Sequence, residues 1–78
     1  MNKNIKSKNV YLLAIKKHQE NNLNEAKTLY QQILEKNPSH LYALNNLGVI
    51  FKDQGENQKA KSCYEKAIEI DPNYADSR

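Results

Sequence analysis

Apolar residues recur at helical spacing in four blocks, and strand-like alternation is missing everywhere. The first block runs from about Asn9 to Glu20, with Val10, Leu13, Ala14 and Lys17 on one stripe and Tyr11 and Ile15 beside it. The second, from about Asn24 to Lys36, puts Ala26, Leu29, Tyr30, Ile33 and Leu34 on one side. The third spans about His40 to Gln54 and the fourth about Gln58 to Ile70. Spacings of i, i+3, i+4 and i+7 in each block predict four amphipathic helices.

The blocks come in pairs. Pro38 and Pro72 lie 34 residues apart, and the residues leading to each repeat in size. Val10, Leu13, Ala14, Lys17, Ala26 and Tyr30 recur as Leu44, Leu47, Gly48, Phe51, Ala60 and Tyr64. A fixed period of this length marks a repeat architecture, in which each unit buries its apolar face against its neighbours. The punctuation agrees. Gly55, and Asn21 one period before it, stand where a left-handed residue would end a helix. Each proline disfavours helix in the residue before it, which stops the second and fourth helices. Ser39, just before an apolar run, is the expected cap of the third helix. Short connections force neighbouring helices antiparallel. The expectation is all-α, two stacked helix-turn-helix hairpins. It divides into a basic tail (1–6), a first unit (7–40), a second unit (41–74) and the start of a third (75–78). Asn73 stands in the place of Ser39 and reads as the cap of a fifth helix, of which Tyr74 to Arg78 would be the first turn. One turn alone does not overcome its nucleation cost, so the chain reads as a segment of a longer array.

Size and composition narrow the function. Seventy-eight residues make at most one small domain. Cys63 is the single cysteine, so no disulfide staples it, and a lone thiol without a signal sequence reads as cytoplasmic. Met1 to Lys8 is polar and basic with no apolar segment after it, which supports neither secretion nor a membrane span. The net charge of +3 rests on lysine, with Arg78 the sole arginine. Nucleic-acid readout favours arginine interleaved with aromatics. Here the lysines are scattered among Glu, Gln and Asn, which reads as a solvated helical surface.

The second unit, Leu41 to Tyr74, resembles the tetratricopeptide repeat through Leu47-Gly48, Phe51, Ala60, Tyr64 and Pro72, with Leu44 in place of Trp. Asn46, Ala67 and Asp71-Pro72 also resemble common choices in that family. The first unit, Ser7 to His40, departs at Ala14, where Gly is usual, and at Lys17, where an aromatic is usual. The resemblance implies a right-handed α-solenoid. Physically, Ala14, Ala26, Gly48 and Ala60 permit close approach within hairpins, while Tyr30 and Tyr64 would fill the space between one hairpin and the next.

Chemistry finds little footing. His18 and His40 are on different helices without a carboxylate or thiol at ligand spacing, so no metal or catalytic set is expected. Cys63 takes the place of Leu29 and reads as a packing residue rather than a nucleophile. Asp53, Gly55 and Asn57 lack the remaining ligands and closing Glu of a calcium loop, and two glycines make no phosphate loop. No cofactor is expected, and the chain reads as a non-enzyme.

What remains is binding. In the family it resembles, the first helices of successive units line a concave groove that holds a peptide. Carried over by position, the groove would be lined by Lys8, Tyr11, Ile15, His18 and Gln19, then by Tyr42, Asn45, Val49, Lys52 and Asp53. A family subset clamps a C-terminal carboxylate with Lys and Asn. This chain has Tyr11 and Ile15 at the first two of those places and matches only at Asn46, so that clamp is not expected. The leading expectation is a scaffold for a protein or peptide partner with hydrophobic anchors and some acidic character. Two others stand beside it. Self-association could occur through an uncovered fourth helix exposing Cys63, Ile68 and Ile70, head to tail or by exchange. Alternatively the chain is the regulatory start of a bacterial-type enzyme whose catalytic domain lies beyond Arg78. Neither nucleic acid nor a membrane is an expected partner.

Overall fold

The structure, a computed structural model, describes residues 3–73, with side chains placed for residues 10–73. It holds four helices in order, α1 (Lys3–Gln19), α2 (Leu23–Lys36), α3 (Leu41–Asp53) and α4 (Asn57–Ile70). Among the described residues there is no strand. Each helix packs on the next, α1 on α2, α2 on α3 and α3 on α4, which makes two hairpins stacked through α2 and α3. The expected all-α solenoid of two hairpins is what forms.

The turns inside the two hairpins are copies of one another. Asn21 has φ of 67° and Gly55 φ of 80°. After α1, the Asn22 N–H donates to the Lys17 carbonyl (2.8 Å) and the Asn21 N–H to that of His18 (3.0 Å). After α3, Glu56 donates to Phe51 (2.8 Å) and Gly55 to Lys52 (3.0 Å). Both are the Schellman arrangement that satisfies the last carbonyls of a helix. The exits from the second helices repeat as well. The Asn37 side-chain oxygen accepts from Ser39 N–H (3.3 Å), and that of Asp71 from Asn73 N–H (3.1 Å).

The core sits where small residues let helices approach. Ala14 and Ala26 in the first hairpin are fully buried, and Ala60 and Ala67 in the second nearly so. Tyr30 and Ile50 are the largest side chains removed completely from solvent. Phe51 is roofed by two ammonium groups, Lys27 Nζ at 5.4 Å and Lys59 Nζ at 5.6 Å from the ring centre, contacts that favour the ring face. A polar rim continues from there across the hairpins. Lys27 Nζ donates to Gln54 Oε1 (2.8 Å), Gln54 Nε2 donates to Asn24 Oδ1 (3.0 Å), and Lys27 reaches Glu56 (3.7 Å).

Several expectations are corrected. Helix α1 starts at Lys3, six residues before the expected start near Asn9, so residues expected in a tail are helical. Residues 3–8 contain no Pro or Gly, and a turn without an apolar stripe leaves no periodic signal. The cap of α3 is His40, not Ser39. Leu13, placed on the buried stripe, is 43% exposed, whereas Leu47 one period later is 5% exposed because the first hairpin covers it. Tyr30 fills the space between hairpins, but Tyr64 is half-buried, and its ring lies over Gly48 within the second hairpin. Cys63 is buried in the core and does not belong to an exposed face of α4, although Ile68 (40%) and Ile70 (39%) are exposed there. Burial pushes its thiol pKa up, away from nucleophilic reactivity. The expected start of a fifth helix, Tyr74 to Arg78, lies outside the described residues. Lys17, in the place of Phe51, keeps a half-buried stem and pairs with Glu25 (3.4 Å), so a long aliphatic chain substitutes for a ring.

Candidate functional site

The first helices of the two hairpins, α1 and α3, meet through a chain of rings. Tyr11 on α1 lies edge-on to Tyr30 (centroids 6.5 Å apart, 61°) and tilted against His40 (5.2 Å, 42°). His40 in turn lies edge-on to Tyr42 (6.4 Å, 70°), and His18 packs its ring on Tyr30 from about two turns further along α1 (6.3 Å, 78°). Offset and edge-on pairs at these separations are favourable beyond the area they bury. Burial decreases along the chain, from Tyr30 with none of its surface exposed, through half-buried Tyr11 and His40, to Tyr42 at 62%. An aromatic surface therefore rises from the core and reaches solvent at the start of α3.

Its electrostatics follow from burial. Desolvation pushes the Tyr30 phenol up to about 12, with Tyr11 adding to the rise and the Asn46 amide partly offsetting it. Tyr11 is raised by burial first and by Tyr42 second, again with Asn46 opposing. Asn46 thus serves both phenols. Even so, the Tyr30 hydroxyl makes no hydrogen bond of good geometry. Both phenols are neutral donors at neutral pH, and neither has the lowered pKa of a general base.

His40 fixes the position of the outer end. Its Nδ1 accepts from the Ala43 N–H (3.1 Å), which satisfies one of the orphan donors at the start of α3. The imidazole therefore caps a helix through one nitrogen while its ring packs tilted against Tyr11 and edge-on to Tyr42. Replacing His40 with Ala is expected to cost about 1 kcal/mol in urea denaturation, the usual cost of losing a cap. His40→Asp should recover much of it, because a carboxylate also caps and suits the helix dipole. If Asp is no better than Ala, the ring contacts rather than the cap hold α3 in place.

Of the expected groove residues, this surface brings together Tyr11, His18 and Tyr42. Ile15, Asn45 and Val49 are half-buried, while Gln19, Lys52 and Asp53 are exposed. The Lys8 side chain lies outside those described. Sequence reasoning missed His40 as the link and Tyr30 as the floor. The signal for His40 was available in its position directly before the apolar run of α3. Among the described residues, no three His, Cys, Asp or Glu side chains gather as a metal would require, and no helix is long and apolar enough to cross a membrane.

Two stacked helix-turn-helix hairpins define a helical-repeat protein. The tetratricopeptide repeat matches this chain twice, over residues 10–40 and over residues 41–74, and the chain belongs to that family. It is 40% identical over 48 residues to the uncharacterized protein ycf37 of Pyropia yezoensis, which takes in 62% of this chain and 27% of that protein. It is 38% identical over 45 residues to the probable UDP-N-acetylglucosamine–peptide N-acetylglucosaminyltransferase SPINDLY of Solanum lycopersicum, covering 58% of this chain and 5% of that enzyme. The matched stretch thus covers less than a third of the length of either relative. Repeats of this family mediate protein–protein interaction and are themselves non-catalytic.

Proposed function

We propose that this chain binds an extended or helical peptide segment of a protein partner along α1 and α3. The observation that carries the reading is Tyr42, a large aromatic 62% exposed at the end of a supported ring chain. A rigid aromatic held by stacked neighbours contributes contact area with little loss of side-chain entropy on binding. Half-buried Ile15 and Val49 supply further apolar surface, and Lys52 supplies positive charge. The partner segment this favours has hydrophobic anchors and acidic flanks. A single buried thiol suits a reducing compartment such as the cytoplasm. A match to 5% of a glycosyltransferase gives no ground for assigning that activity here.

The test is selection from a random peptide library displayed on phage, followed by fluorescence anisotropy with the selected peptides. Selected sequences should be rich in Leu, Ile, Phe and Tyr beside Asp or Glu. Tyr42→Ala should weaken them about tenfold or more, as truncating an aromatic anchor does. Lys52→Glu should weaken acidic peptides and leave neutral ones unchanged. Peptides that bind both variants as tightly as the parent would place the binding surface elsewhere.

A further inference from the structure

We infer that the outer face of α4 is a docking surface for α1 of a second copy of this chain, in the same geometry by which α3 docks on α2. The contact between α2 and α3 has an apolar centre and a polar rim. At the centre, Tyr30 and Ala43 are fully buried and Leu47 is 5% exposed. At the rim, Lys27 donates to Gln54, Gln54 donates to Asn24, and Lys27 also reaches Glu56.

Shifting this interface by one period replaces each residue with one the chain possesses. On α4, Tyr64 stands for Tyr30, Ile68 for Leu34, Gln58 for Asn24 and Lys61 for Lys27. On the incoming α1, Val10 stands for Leu44 and Leu13 for Leu47, and in its turn Glu20 stands for Gln54. Leu13 is 43% exposed and Ile68 40%, so both halves present aliphatic surface to water. The rim keeps one ion pair on the shift, moved to a new place, because Asn22 stands where Lys27 reaches Glu56. Where Lys27 meets a neutral amide, Lys61 would meet the Glu20 carboxylate, and Gln58 could donate its amide to the same group. Gln58, Lys61 and Glu20 are exposed, and neither Lys61 nor Glu20 forms an ion pair among the described residues. Two positions work against the match, the first being Asn9, which stands where Ala43 is fully buried. The second is Lys16, which stands where Ile50 is fully buried. A lysine there lays its stem along the contact and keeps its ammonium in solvent, which makes the interface between copies weaker than the one within a chain.

Ile70 takes no part, because it stands in the place of exposed Lys36. A head-to-tail contact leaves one α1 and one α4 free at the ends, so assembly is open-ended rather than closed by two-fold symmetry. The contact uses none of the residues proposed for peptide binding, so either idea can fail without the other.

Sedimentation velocity from micromolar to millimolar concentration tests it. The parent should pass beyond a dimer as concentration rises. Leu13→Asp and Ile68→Asp should each sediment as monomers alone, and an equimolar mixture should form heterodimers and stop there, since it offers one intact α1 and one intact α4. Circular dichroism checks that each variant keeps the parent's helicity. If either does not, Glu20→Lys and Lys61→Glu, both on exposed sites, take their place, and combining the two in one chain should restore assembly. A parent that stays monomeric throughout overturns the inference. So does a Leu13→Asp variant that still dimerises, because that result means α4 pairs with α4.

Discussion

Replacing Tyr30 with Ala should leave this chain largely unfolded at room temperature, whereas replacing it with Phe should cost nothing or stabilise. Tyr30 is fully buried, forms the floor of the ring chain, and carries Tyr11 and His18 on its ring. Truncating a buried aromatic to Ala costs about 3–5 kcal/mol. A core of this size rarely supplies more than about 3–5 kcal/mol in total. The two quantities are comparable, which is why one substitution can decide the folded state. Repeat proteins are stable as sums of units and the contacts between neighbours, and Tyr30 belongs to that contact, so any remaining transition should be shallower in urea as the hairpins uncouple. Phe keeps the ring and removes a hydroxyl that is buried without a well-formed hydrogen bond. Leaving such a group unpaired costs about 1–3 kcal/mol, so the Phe variant should melt at or above the parent temperature. A loss of more than about 1 kcal/mol in Tyr30→Phe would show instead that Asn46 bonds this hydroxyl in solution.

The contrast between the two tyrosines shows where the sequence is legible. Tyr30 and Tyr64 stand at the same place in the period, and on that ground alone they are expected to play the same role. Three-dimensional neighbours separate them. A second hairpin follows Tyr30 and covers it, while Tyr64 is left half-buried over Gly48. Leu13 and Leu47 differ for the same reason in the other direction. Periodicity reports which residues share a face, but whether that face is covered depends on what stacks against it. Backbone punctuation was read more directly. A left-handed residue must end each first helix, and only Asn21 and Gly55 stood at the right places to adopt that geometry at low strain. Ser39 failed as a cap because hydroxyl preference is statistical. The turn of Asn37 takes the Ser39 N–H, and His40 is the residue whose acceptor faces Ala43. The ring chain of the candidate site was half visible. Tyr11, His18 and Tyr42 were read from their places on the first helices, but Tyr30 and His40 entered only through contacts between elements far apart in sequence.

Gly48 should tolerate Val least of any small residue in the second hairpin, with a loss of about 3 kcal/mol at the upper end of overpacking costs. A Cβ built there would lie 2.8 Å from Tyr64 Cε1 and 2.9 Å from Cζ. A stiff ring cannot yield as a flexible side-chain end can, so α3 and α4 must separate or Tyr64 must swing away. Gly48→Ala sets two effects against each other. Ala gains about 1 kcal/mol of helix propensity over Gly, while the clash costs about 1–3 kcal/mol. The net expectation is a loss of about 1 kcal/mol, the reverse of what propensity alone predicts. Ala14 shows that the fold can accept a methyl at this place, since it stands one period earlier and is fully buried. The obstacle at Gly48 is therefore the Tyr64 ring rather than the helix pair as such. Tyr64→Leu should then rescue Gly48→Ala, giving a double-mutant coupling of about 1 kcal/mol or more in urea denaturation. Strictly additive effects would move the obstacle from the ring to the backbone of α4, and would make the spacing of the two helices, not one aromatic, the reason for glycine here.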